Sequence, residues 1–171
     1  RTTLIYVTHD QDEAMTFAEQ IMVMDAGKIV QMGTPGELFN QPNTTFVGYF
    51  IGAPAMNLFE ASITGVNQIE VAGQTLKTKA SLKGISAANV KLGVRAENIR
   101  LSSKPGKGEN ALPIDISRID DYGNYKLVVG QCSGADAKVK VDRDAPIDQG
   151  PLFMSFKPEQ ACVYVNEQLV T

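Results

Sequence analysis

The sequence predicts a mostly β protein: a closed or sandwiched antiparallel β structure preceded by a short α/β segment. From Met56 onward, short segments of alternating apolar and polar residues are separated by Gly, Asn, Pro and Asp, and no long helix interrupts them. Such regular short strands with turn signals mark sandwiches and barrels. Upstream, Thr2-Thr3-Leu4-Ile5-Tyr6-Val7-Thr8 is a nearly unbroken β-branched and apolar run, the composition of a strand buried on both faces. A helix start signal follows it at once.

In chain order, residues 2–8 are expected as a core strand. Asp10 reads as an N-cap, and Glu13, three residues on, completes a capping box. Ala14, Phe17, Ala18 and Ile21 recur at helical spacing, so that face should pack inward. His9, the one histidine present, thereby falls at the carboxyl end of a buried strand, where open α/β sheets place ligands. Taken alone, a histidine in such a corner reads as a structural hydrogen-bonding residue. Ile21-Met22-Val23-Met24 and Lys28-Ile29-Val30-Gln31-Met32 flank an Asp-Ala-Gly turn and predict a hairpin. Thr34-Pro35-Gly36-Glu37 supplies an N-cap, a proline at the first helical position and a capping glutamate. Asn43 is read as the cap of one more helix, with Phe46, Val47, Phe50 and Ile51 inward and Gly52 and Pro54 as its stop. From Met56 onward the texture changes to short alternating segments.

In the second part, strands are expected over residues 57–64, 68–71, 74–77, 90–94, 99–101, 112–120, 124–130, 137–141, 152–155 and 162–165. Val139 and Val141 against Lys138, Lys140 and Asp142 show the in-out alternation directly. Arg95 and Glu97 are expected as an ion pair ordering a barrel corner. Adjacent Asp120 and Asp121 would point to opposite faces of a strand, so they read as turn residues and not as a metal site.

Composition excludes several classes. An apolar content of 43% is that of a globular chain. A net charge of −3 with scattered Lys and Arg argues against nucleic acid, which needs a clustered basic face. Cys132 and Cys162 are too few for a disulfide framework or a zinc site, and free thiols are expected. No apolar run approaches the roughly 20 residues of a membrane span, so any membrane link is expected to run through a partner.

The string Val7-Thr8-His9-Asp10-Gln11-Asp12-Glu13-Ala14-Met15, then Gly27 to Leu38, then Phe46-Val47-Gly48-Tyr49-Phe50-Ile51-Gly52 recur in one order. Together they resemble the switch-histidine loop and following segments of ATP-binding subunits of ABC importers of the maltose and glycerol-phosphate type. Gly93-Val94-Arg95-Ala96-Glu97-Asn98 resembles the Gly-Ile/Val-Arg-Pro-Glu segment of the regulatory domains in that family, with Ala96 in place of proline. Lys157-Pro158-Glu159 resembles the same turn repeated.

The resemblance implies that 1–52 is the C-terminal remnant of a nucleotide-binding domain and 53–171 an OB-type β-barrel regulatory domain. It implies an energy-coupling ATPase subunit of an importer for sugars or sugar phosphates such as glycerol 3-phosphate. His9 would be its catalytic, ATP γ-phosphate-contacting residue, because phosphoryl transfer is catalysed mainly by positioning and charge stabilisation, which an imidazole at a strand end can supply. ATP and Mg2+ belong to the complete subunit. None is expected on this chain, which lacks a Gly-x-x-x-x-Gly-Lys-Ser/Thr loop and the family's glutamine loop, signature and acidic strand end. The chain is therefore expected to be the C-terminal piece of a longer subunit. Implied partners are a second copy in a homodimer, two transmembrane permease subunits, a solute-binding protein indirectly and a regulatory protein. The implied location is cytoplasmic, peripheral on the inner face of the cell membrane. The alternative is a stand-alone OB-type oxyanion-binding module, for which Ser81-Leu82-Lys83-Gly84 is the candidate segment. A histidine-dependent hydrolase fails for want of a nucleophile, a base and an orienting partner.

Overall fold

The computed structural model describes residues 2–171. Residues 2–8 form no strand, contrary to the composition: Leu4, Ile5 and Val7 are 85%, 85% and 91% exposed. Among the described residues no strand lies alongside them, and a β-prone run without a ladder has neither backbone partners nor a face to bury. The helix behind them is real: α1 spans Gln11–Phe17. Asp10 Oδ1 accepts from the N–H groups of Asp12 and Glu13 at 2.9 and 3.1 Å. Glu13 accepts the Thr8 and Tyr6 hydroxyls instead of an amide of Asp10, so the cap is present but the reciprocal box is not. Ala14 and Ala18 pack inward as expected. Phe17, the last residue of the helix, is 84% exposed, whereas Ile21 lies beyond the helix and turns inward as the first residue of the next strand.

β1 (Ile21–Asp25) and β2 (Lys28–Gly33) pair antiparallel around Ala26 and Gly27, both with positive φ as a tight primed turn requires. Ile21 and Val23 are buried, while Met22, Met24, Ile29 and Met32 cover the outer face. α2 (Pro35–Asn40) carries the full capping box, Thr34 with Glu37. α3 (Thr45–Phe50) is capped by Thr44, whose hydroxyl accepts from the Val47 N–H. Asn43 was expected in that role, but its N–H donates to the Gln31 side chain and its carbonyl accepts from the Leu169 N–H. Val47 and Ile51 are buried; Phe46 and Phe50 stack on each other on the outer side, 5.8 Å between centroids, and do not face inward. Ile21, Val23, Leu38, Val47 and Ile51 close a small core under these elements.

The rest of the chain forms two antiparallel sheets, built from β3 (Asn57–Gly65), β4 (Gln68–Val71), β5 (Gln74–Lys77), β6 (Val90–Val94), β7 (Arg100–Ser102), β8 (Asn110–Asp121), β9 (Tyr125–Cys132), β10 (Ala135–Asp142), β11 (Leu152–Phe156), β12 (Ala161–Val165) and β13 (Gln168–Leu169). Their orders are β13-β12-β6-β3-β4-β5 and β10-β9-β8-β11-β7. The two sheets are halves of one repeat with exchanged ends. β3 to β6 and β8 to β11 are each a meander with its last strand returned beside its first. Each is followed by a 3-10 turn, Ala96–Asn98 and Pro158–Gln160. The strand after each turn then crosses over: β7 pairs with β11, and β12 pairs with β6.

Two buried asparagines close the edges between sheets. Asn57, first in β3, accepts from the Lys138 N–H at 2.8 Å and donates to the Lys138 and Val94 carbonyls at 2.9 and 3.2 Å. Asn110, first in β8, accepts from the Lys77 N–H at 2.8 Å and donates to the Lys77 carbonyl at 2.9 Å. Each side chain thus stands in for a backbone partner on an edge strand of the opposite sheet. The inward faces, with Phe59, Leu92, Leu112, Val139, Met154 and Phe156 among the buried residues, form one continuous OB-like core.

Candidate functional site

His9 is exposed and sits in a bend between residues 2–8 and α1. The loop around it is fixed by local bonds: the Thr8 hydroxyl accepts from the Asp10 N–H at 2.9 Å and donates to Glu13 at 3.0 Å. Asp10 is absorbed by capping, which satisfies amides that a helix start leaves bare. Glu13 also accepts the Tyr6 hydroxyl and raises the Tyr6 pKa by its charge. The loop presents a hydrogen-bonding imidazole beside a helix start.

Arg95 lies at the end of β6 and is 2% exposed. Sequence reading paired it with Glu97; instead Glu97 faces Lys140 at 3.8 Å, and Arg95 turns toward residues 39–51. Its Nε and Nη2 donate to the Phe39 carbonyl at 3.1 and 3.0 Å, and its Nη1 donates to the Gly48 carbonyl at 2.8 Å and to the Ile51 carbonyl. The guanidinium lies 4.3 Å from the Phe39 ring centroid. The carbonyls are those left open at the ends of α2 and α3, where the helix dipole favours a cation. Burial lowers the Arg95 pKa from its usual value, yet an arginine keeps its charge.

A second seam joins the same regions. The Tyr164 hydroxyl donates to the Pro42 carbonyl at 2.9 Å, and burial raises its pKa. Glu167 accepts from Lys91 at 2.6 Å, from Asn89 at 3.2 Å and from the Thr45 hydroxyl. Lys91 first, then Thr45 and Asn89, hold the Glu167 carboxyl down to about 2. Within residues 1–52, the Gln11 side chain accepts from the Gly52 N–H at 2.6 Å. None of Gln11, Tyr164 and Glu167 stood out in the sequence, because their partners are backbone carbonyls and amides or lie more than 40 residues away.

The other candidates do not gather. Ser81, Lys83 and Gly84 are exposed, with Leu82 buried between them. Asp120 and Asp121 were read as turn residues but end β8, paired with Leu127 and Lys126; Asp120 also pairs with Arg118, and Asp121 accepts from the Gly123 N–H in the turn that follows. Among the described residues no cluster of three His, Cys, Asp or Glu side chains could hold a metal. Cys132 and Cys162 are free, and burial raises both thiols.

No family model matches the chain. Its sequence is 39% identical over 149 residues, 85% of the chain, to the sn-glycerol-3-phosphate import ATP-binding protein UgpC of Vibrio cholerae, covering 39% of that protein. It is 41% identical over 133 residues, 77% of the chain, to UgpC of Salmonella typhimurium, covering 36% of it. UgpC of Jannaschia sp. is 36% identical over 157 residues, 92% of the chain and 43% of that protein. Among solved structures, the cytoplasmic molybdate-binding protein ModG superposes with a TM-score of 0.52 at 14% identity, over 64% of this chain and 95% of ModG. The last likeness is one of fold. The chain is thus homologous to part of the ATP-binding subunits of ABC importers, with an OB-like β domain. The named relatives are sn-glycerol-3-phosphate import ATP-binding proteins, and the chain spans about two-fifths of their length.

Proposed function

We propose that the chain is the C-terminal portion of the ATP-hydrolysing, energy-coupling subunit of an importer for sugar phosphates such as glycerol 3-phosphate. The observation that carries this reading is the identity of 39% over 149 residues to an import ATP-binding protein. Residues 1–52 are then the end of its nucleotide-binding domain and 53–171 its regulatory domain. The two separate cores, one on each side of that boundary, support the division.

In this reading His9 reaches the γ-phosphate of ATP in the complete subunit. An imidazole fixed beside a capped helix start donates a hydrogen bond to a phosphoryl oxygen as charge builds there, and helps hold the attacking water in line. Magnesium travels with the ATP, and its ligands lie outside the described residues. The subunit works at the inner face of the membrane with two permease subunits and, through them, a solute-binding protein.

The test is His9→Ala in the complete subunit. It lowers kcat by about a hundredfold or more while ATP binding is spared; near-normal hydrolysis would refute the role. The 171-residue chain alone binds no ATP in calorimetry, and micromolar binding with magnesium would contradict the division of labour proposed. A molybdate titration in the same instrument tests the oxyanion-module alternative, for which Ser81 to Gly84 offers no converging donors. The exposed apolar side chains of residues 4–7 and Phe17 favour association. A homodimer is expected at about 50 μM, a concentration at which contacts with a Kd in the micromolar range are populated, and sedimentation as a strict monomer would overturn it.

A further inference from the structure

We infer that Gln11 and Arg95 are positioning residues that fix the His9 loop to the β barrel through a single peptide unit, Ile51–Gly52. The Ile51 carbonyl accepts from Arg95 Nη1, and the N–H of the same peptide, on Gly52, donates to Gln11 Oε1 at 2.6 Å. A peptide unit is planar and rigid, so a displacement of one end is delivered to the other. Its two hydrogen bonds also polarise one another, each strengthening its partner.

The loop has little else to hold it. α1 has seven residues and none of them is buried. A helix that short does not persist alone. The residues before His9 have no ladder, and the bonds of Thr8, Asp10 and Glu13 are internal to the loop. Its position relative to the rest of the chain therefore depends on Ala14, Met15 and Ala18 against the small core, and on the Gln11 bond. Gln11 opens the helix two residues after His9.

The other end of the link is rigid. Arg95 follows β6 directly and spends its remaining donors on Phe39 and Gly48. β6 lies mid-sheet between β3 and β12. Gly52 has φ +110°, and a Cβ there would lie 2.8 Å from Arg95 Nη1, so the close approach requires glycine. A change in the barrel that moves the end of β6 thus moves this peptide and, through Gln11, the start of α1. What the coupling controls, hydrolysis, rests on the function proposed above; the coupling itself does not.

Amide hydrogen exchange on the 171-residue chain decides the coupling without ATP. In Gln11→Ala the Gly52, Ala14 and Ala18 amides should exchange about three- to tenfold faster, the ratio one neutral hydrogen bond is worth, while β8 and β9 are unchanged. Arg95→Lys, which touches no atom of α1, should speed the same α1 amides because one amine cannot reproduce the fork. Unchanged Ala14 and Ala18 protection in Gln11→Ala overturns the inference even if Arg95→Lys proves unstable. In the complete subunit Gln11→Ala should lower kcat with KM held, and Gln11→Glu, which keeps the acceptor oxygen, should restore it. A drop in kcat that Gln11→Glu fails to rescue counts against positioning. A complete subunit with no ATPase activity at all would refute the proposed function and leave the coupling to the exchange result.

Discussion

Removing the Asn57 side chain tests how the barrel is closed. Asn57 is 5% exposed and makes three bonds to the backbone of Lys138 and Val94, so it ties the first strand of one sheet to the edge of the other. Each such bond contributes roughly 0.5–1.5 kcal/mol net, and Asn57→Ala should therefore cost about 3 kcal/mol. For a chain of this size that is a fall in Tm of about 6–12 °C. Urea denaturation followed by circular dichroism gives the number, and a loss under about 1 kcal/mol would mean the edge is held without the side chain. Asn57→Asp sharpens the test. The carboxylate keeps the acceptor for the Lys138 N–H but turns a second oxygen toward two carbonyls, which raises its folded pKa above the ordinary aspartate value of about 3.9. Protonation restores one donor. The variant is therefore closest to wild type below about pH 4 and loses stability as pH rises through the raised pKa. A deficit independent of pH would refute the geometry.

Gly130→Ala places a Cβ 2.3 Å from the Asp115 carbonyl oxygen, beside the bulge where β8 shifts register on β9. Backbone cannot yield cheaply there, so about 3 kcal/mol is lost, and a neutral result in denaturation would show the bulge to be pliable. Glu167→Gln removes a carboxylate held down to about 2. Its stabilisation is present above the ordinary glutamate range and declines as pH falls from 4.5 toward 2, so wild type should exceed the variant at pH 7 and the gap should narrow steadily by pH 2.5. Parallel stability curves from pH 7 to 2.5 would show that the network is indifferent to the charge.

Legibility in the sequence followed how local the cause was. Thr34 and Glu37 were readable as a capping box because both ends of the interaction lie within four residues. Ten of the eleven strands after Met56 were readable, to within a residue or two, because alternation is a property of each strand alone, and β13 was not, because two residues are too few to show it. Residues 2–8 were misread because β propensity describes a fit to neighbours, and no neighbouring strand is present among the described residues. At α3, Asn43 and Thr44 are both able caps, and the choice was made by Gln31 and Leu169, distant in sequence. His9 and its Asp10 cap were visible as a motif. The link from His9 to Arg95 was not, since it runs through a backbone peptide whose atoms every residue carries.

The exchanged ends of the two β units make each the finishing piece of the other. β7 completes the sheet begun by β8, and β12 completes the sheet begun by β3. Neither half is then an independent folding unit, although each has the sequence of one. The connection over residues 103–109 contributes no rung to any ladder. A chain nicked there keeps every strand pairing, so separately made halves should complement one another into the same barrel. The same ladders are satisfied when two intact chains trade halves across that connection. In this sense the barrel is a heterodimer of its own two parts, covalently joined by a loop that its sheets do not need.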